Sequence, residues 1–364
     1  MNKASNRITL VTTFAGILLI LIGVLVPSLS LVRWLRDFPP EMQAQFQFGG
    51  TLFRIGLLFH GLLLVVLPRL RIWGSKPDSR VERAAQPNTK TVIWLLVALL
   101  AVSLLVRLYE LGAGLWLDEI LTHVKYARLS YGEIVTTFDS ENQHFLFTLL
   151  THTSYLIFGE SAWTLRLPAV LFGVASIWAL FLLGGELSGP REGLLAAALL
   201  AFTYHHVWFS QNARGYTGLL LWTILSSWLL VRGLSHGRLK DWLFYALAAA
   251  LGVYTHLTMG FVLVGHLIIY LATIVARRKQ AWENWWLGLC LGFGLTGSFI
   301  YQLHALVFPQ VMSGLAGTVS VVAEWRNPLW TLYELARGLQ VSFASGFVAV
   351  GALLLFGAGL WSFT

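Results

Sequence analysis

The 364-residue chain is 57% hydrophobic and only 12% charged, with a formal net charge of +8 and a mean hydropathy of +0.70. No soluble domain of this length has that balance, and the long unbroken apolar runs exclude a β-barrel, so the chain reads as an all-α polytopic membrane protein. The basic residues cluster between the apolar runs, where the positive-inside rule accounts for them; no nucleic-acid partner is expected.

In chain order, the first run, Ile8 to Leu31, is too long for a signal-peptide core and lacks a small-residue cleavage site. It reads as a retained helix. A loop with Pro39-Pro40 leads to a second helix over about 48–68. Arg69, Arg71, Lys76, Arg80, Arg83 and Lys90 follow. So much positive charge in a short loop puts it, and the amino terminus, in the cytoplasm. Residues 1–73 therefore form two N-terminal transmembrane helices, 74–90 a basic linker, and 91–364 the main transmembrane domain. Helix three (91–112) runs outward and delivers Asp118 and Glu119 to the far face.

His144 to Phe158 is apolar but too short to span, and its polar residues gather mostly on one helical face. It is expected to lie in the outer interface, within a first large outer loop. Spans over 163–186, 193–209, 215–232, 242–256, 259–275 and 285–306 follow. An outer segment (307–341) and a last helix (343–361) complete a bundle of about ten transmembrane helices. With this parity Arg191, Arg232, Arg238, Lys240 and Arg277-Arg278-Lys279 all fall in the cytoplasm. The chain stops at Thr364 without a polar tail, which leads us to expect a missing C-terminal part. Cys290 is the single cysteine, so no intrachain disulfide can form.

The uncommon polar groups then converge at the outer level: Asp118, Glu119, Lys125, Arg128, Asp139 and His144 in the first outer loop. His205, His206, Gln211, Asn212, Arg214 and Tyr216 occupy the next turn, and Tyr254, Thr255 and His256 the one after. Ionisable groups at membrane depth are costly and mark a pathway or site. A carboxylate able to take a proton, beside Arg, Lys and His able to hold a phosphate, suggests transfer from a lipid-linked phosphate donor. Adjacent histidines diverge on a helix, so His205-His206 does not indicate a metal site; a divalent metal stays open.

Five stretches in order carry a resemblance: Leu115-Trp116-Leu117-Asp118-Glu119, Asn142-Gln143-His144, Arg166-Leu167-Pro168, the run from Trp208 to Tyr216, and Tyr254-Thr255-His256. Together they resemble the bacterial relatives of the dolichyl-phosphate-mannose protein mannosyltransferases, a superfamily that includes the aminoarabinose transferase acting on lipid A. The resemblance covers roughly 92–345. It implies a GT-C-like bundle with interfacial helices in the first outer loop, and a polyprenyl-phosphate sugar as donor. It makes Asp118 the catalytic base, paired with Glu119. Arg128, His144, His206, Gln211, Asn212, Arg214, Tyr216 and His256 become candidates for holding the donor phosphate and substrate. Attack in line at the anomeric carbon would invert the linkage. Such an enzyme would sit in the bacterial inner or plasma membrane with its site extracytoplasmic, and would act on a lipid, glycan or protein acceptor.

Three departures matter. Residues 1–73 stand ahead of the family's usual first helix and offer room for a membrane-protein partner. His144 is followed by Phe145 where many relatives have proline. Asn212 stands where many relatives carry an acid, which places the chemical burden on Asp118. The alternative is a non-catalytic GT-C-like structural or assembly subunit. A transporter is disfavoured, because the polar groups gather at one interface and no internal repeat is visible.

Overall fold

The structure, a computed structural model, describes residues 3–66, 89–276 and 286–312, with positions 350 and 354. Most of the basic linker, most of the 307–341 segment and most of the last expected helix lie outside the described residues. Residues Met1–Pro309 form one compact unit and Gln310–Thr364 a second; the architecture below is that of the first.

The expected first helix is interrupted. Helix α1 (Lys3–Leu25) stops before Pro27, and a short α2 (Ser28–Arg33) follows. Proline has no N–H to donate and biases the residue before it away from the helical region. Carbonyls left open at the break are taken by Arg54 of α3 (Gln43–Val66), which donates to Gly23 O at 2.8 Å and Val24 O at 3.2 Å. The two long helices form an antiparallel hairpin with backbones in close approach. A Cβ on Gly16 would stand 2.6 Å from Gly61 O, and one on Gly61 2.7 Å from Gly16 O. Small residues permit such contact between membrane helices.

The main bundle runs through α4 (Thr89–Leu108), α7 (Phe145–Phe158), α8 (Ala162–Leu187), α11 (Tyr216–His236), α12 (Leu239–Thr255), α13 (Met259–Ala276) and α14 (Leu295–His304). Helix α12 lies at its centre. Its Ala246, Ala248, Ala249, Ala250 and Gly252 are buried and let α11 and α14 approach, around a core of Trp242, Tyr245, Tyr270 and Leu291. A π-helical stretch, Leu287–Gly294, leads into α14. At 14 residues, α7 is about 21 Å long, short of the roughly 30 Å needed to span. Between α4 and α7 stand two short helices, α5 (Leu117–Thr122) and α6 (Tyr131–Ile134), and a π-helical turn.

The expected fifth span is also broken. Helix α9 (Pro190–Phe202) meets α10 (Tyr204–Ser210) at 65°, across an extended Thr203 with ψ 122°. Arg107, at the end of α4 and fully buried, stitches this corner. It donates to Ala201 O (3.2 Å), Ser103 O (2.9 Å), Ser210 Oγ (3.1 Å) and His206 Nδ1 (2.9 Å). A helix end inside a bundle needs partners for its open carbonyls, and this arginine supplies one.

Among the described residues five helices are long and apolar enough to cross a membrane, or six with the bent pair taken as one span. The all-α polytopic membrane class holds. The expected total of about ten also counted α1, whose apolar part is only Thr9–Leu25, the 17-residue α12, the span divided between the π-helical stretch and α14, and a last helix mostly outside the described residues.

The hairpin α1–α3 is docked on this bundle. Tyr301 donates to Leu52 O at 2.8 Å, and His60 Nε2 lies 3.2 Å from Ser298 Oγ. At its other end Arg36 donates to Thr137 Oγ1 at 2.8 Å, just past α6.

Candidate functional site

Asp118 and Glu119 occupy the first turn of α5, and successive residues on a helix point about 100° apart. The pair is therefore split. Glu119 is fully buried and accepts four hydrogen bonds: from Arg166 Nε (2.8 Å) and Nη2 (2.6 Å), from the Ala213 amide (2.8 Å) and from the Trp116 amide (3.3 Å). Arg166, on α8, spends its remaining donors on the carbonyls of Leu111 (2.8 Å), Ala113 (2.8 Å) and Gly114 (2.9 Å). One buried ion pair thus ties the 111–119 loop, α8 and the turn before α11 together.

Asp118 faces out, its side chain 46% exposed, and its Oδ2 lies 2.6 Å from Arg214 Nη1. Its backbone carbonyl is gripped from two sides, by Thr122 Oγ1 at 2.9 Å and Asn142 Nδ2 at 3.1 Å. Arg214 also donates to Tyr216 Oη (3.2 Å) and lies 5.3 Å above that ring. Its Nε is buried without a partner among the described residues. Tyr216 in turn lies 5.4 Å from His256, which stacks on His144 at 4.7 Å with the planes 24° apart. Gly215 makes this packing feasible: a Cβ there would stand 2.8 Å from Thr255 O and 3.1 Å from His144 Cγ.

The result is one contiguous group of Asp118, Arg214, Tyr216, His256 and His144, assembled from α5, the α10–α11 turn, the end of α12 and the start of α7. Burial, reinforced by Arg214, pulls the His256 imidazole down to about 4. Burial, then His256 and Arg214, hold His144 well below the ordinary histidine range. Both rings are neutral near pH 7. Arg214 is the group's full positive charge, and Asp118 its negative one. His144 Nε2 is buried and has no partner among the described residues.

The remaining candidates fall elsewhere. Gln211 donates to Tyr109 O (2.7 Å) and Arg107 O (3.3 Å), fastening the α10–α11 turn to the end of α4. Asn212 accepts from Trp116 Nε1 at 2.5 Å and donates to Trp208 O at 3.3 Å. It bridges the Asp118 loop to the Arg214 turn. His206 sits in the Arg107 corner. Arg128 pairs with Glu160 at 2.7 Å, both about half exposed, and no described contact joins it to the Asp118 group. Sequence reasoning passed over Asn142 and Arg166 as functional residues, and Arg107 altogether. An arginine inside an apolar run needs buried partners, and that signal was available for both arginines. Among the described residues no group of three or more His, Cys, Asp or Glu side chains could hold a metal ion.

Residues 143–301 match the model of the dolichyl-phosphate-mannose-protein mannosyltransferase family. This stretch contains His144, His206, the Gln211–Tyr216 turn and His256, and begins after Asp118, Glu119 and Arg128. No curated protein matches the chain. The match bears out the GT-C resemblance and supports a membrane glycosyltransferase of that type.

Proposed function

We propose that the chain transfers a sugar from a polyprenyl-phosphate donor to an acceptor hydroxyl on the extracytoplasmic side of a bacterial inner or plasma membrane, with inversion. The observation that carries this reading is the Asp118–Arg214 pair at 2.6 Å, flanked by two neutral stacked imidazoles. An exposed carboxylate and a largely buried guanidinium side by side are the two charges the reaction needs. Asp118 takes the proton of the acceptor hydroxyl as its oxygen bonds to the anomeric carbon. The bond from that carbon to the phosphate oxygen breaks, and the electron pair leaves on the polyprenyl phosphate. Arg214, with an Nε still unpartnered, meets that charge; the tyrosine hydroxyl and imidazole N–H groups beside it add neutral donors. Within this reading Glu119, Arg166, Asn142 and Asn212 are positioning residues. Residues 91–364 form the transferase domain, 74–90 a cytoplasmic linker, and 1–73 an added hairpin.

The test compares lipid-linked sugars and envelope glycans in cells expressing the wild type or Asp118→Asn at matched membrane levels. Loss of one product, with its polyprenyl-phosphate sugar accumulating, is the expected result. Identical profiles under conditions where the gene is required would overturn it in favour of a non-catalytic subunit.

A further inference from the structure

Along α11, away from the Asp118 group and toward Arg232, which lies about 24 Å from Tyr216 on the helix, runs a second feature. Between α11 and α12 lies a cavity of about 410 Å³. Trp222, Leu225, Leu247 and Leu251 form its apolar length, and Lys240 and Asp241 stand at its end. From Lys240 to Leu251 the helix rises about 16 Å, close to half of a hydrocarbon core of about 30 Å. The groove therefore has the depth of one bilayer leaflet.

Its polar end is electrostatically incomplete. Arg232 is shared between two carboxylates, with Nε 3.2 Å from Asp241 Oδ1 and Nη1 3.2 Å from Glu186 Oε2. Asp241 is only 3% exposed, yet its Oδ2 has no hydrogen-bond partner among the described residues. A buried carboxylate oxygen without a donor is destabilising, and a donor of positive charge answers it best. Lys240 lines the same cavity but, as the preceding residue on the helix, projects about 100° away. Its ammonium has no partner among the described residues.

We propose that this groove binds an amine-bearing phospholipid of the leaflet opposite the candidate site. The acyl chain fills the Trp222–Leu251 length, the ammonium donates to Asp241 Oδ2, and Lys240 holds the phosphate. The occupant follows from the chemistry. A lipid whose headgroup carries only hydroxyls brings no cation to Asp241, and a trimethylated amine has no N–H to donate.

The test uses the purified full chain in detergent. Phosphatidylethanolamine, phosphatidylcholine and phosphatidylglycerol with identical acyl chains are compared for retention by native mass spectrometry and for their shift of the melting temperature. Phosphatidylethanolamine is expected to be retained at least tenfold better than the other two and to give the largest shift. Asp241→Asn should bring it down to the level of phosphatidylcholine. Leu247→Trp, which leaves every ion pair in place, should reduce retention of all three, and it carries the test if Asp241→Asn does not fold. Equal retention of the choline lipid, preference for the glycerol lipid, or undiminished binding by Leu247→Trp would each overturn the proposal.

Discussion

Replacing Glu119 by glutamine separates the two members of the acidic pair. The substitution keeps the shape of the side chain and removes its charge. In the wild type Oε1 accepts from Arg166 Nε and the Ala213 amide, and Oε2 from Arg166 Nη2 and the Trp116 amide. Whichever oxygen becomes the NH2 group, it meets two donors, so two hydrogen bonds are lost. Arg166, itself only 6% exposed, is left as a buried cation without its counter-charge. Breaking a buried pair from one side costs about 3–5 kcal/mol, and here that corresponds to a fall in melting temperature on the order of 10 °C. The same change at Asp118, half-exposed and held by one ion pair, should cost about 1 kcal/mol or less. The assay is thermal unfolding of both variants in detergent beside transfer activity per folded molecule. Glu119→Gln is expected to lose stability and Asp118→Asn only activity. A Glu119→Gln protein that melts like the wild type yet is inactive would refute the division and put Glu119 in the chemistry.

Removing the guanidinium in Arg214→Ala should weaken donor binding at least tenfold, read as KM or by titration with the polyprenyl-phosphate sugar; unchanged affinity would remove Arg214 from the phosphate site. The buried histidines set a pH dependence of stability. With His256 at about 4 in the folded chain and near 6.5 when unfolded, the unfolded state binds the extra proton between those values. Stability is therefore full above about 6.5 and falls as pH drops toward 4, by at most about 1.4 kcal/mol per pH unit; His256→Asn should flatten the slope. At Gly132 a Cβ would collide with the carbonyl oxygen of Leu35. Gly132→Ala should thus destabilise by about 1–3 kcal/mol by pushing the N-terminal hairpin off the segment between α4 and α7, while Gly112→Ala, with open space around it, should melt like the wild type. A cysteine at Ser140 should react with a membrane-impermeant reagent on intact cells; labelling only after the cells are opened would reverse the topology.

Much of the site was legible because its residues come in short runs that local geometry keeps together. An outer turn was expected between the spans over 193–209 and 215–232, and Gln211 to Gly215 do link α10 to α11; the acids at 118–119, expected at the exit of a helix, also open a short one of their own. What each residue does was less legible. Adjacent on paper, Asp118 and Glu119 read as one catalytic pair. Their division of labour arises because α8 brings Arg166 to one of them and the α10–α11 turn brings Arg214 to the other. His206 and Arg128 read as members of the cluster on grounds of level alone, and both are claimed by partners distant in sequence, Arg107 and Glu160.

The sequence by itself determined that the chain lives in a membrane as helices, because a backbone in lipid must satisfy its own hydrogen bonds and only long apolar runs can do so. It also determined where most helices lie and which polar groups are too costly to be there without purpose. Tertiary structure decided the break at Thr203, which no proline marks, and at both Pro27 and Thr203 an arginine of another helix takes carbonyls that the break frees. It decided too which carboxylate is sealed and which is left exposed, since burial and counter-charge are properties of the packed bundle and of no single segment.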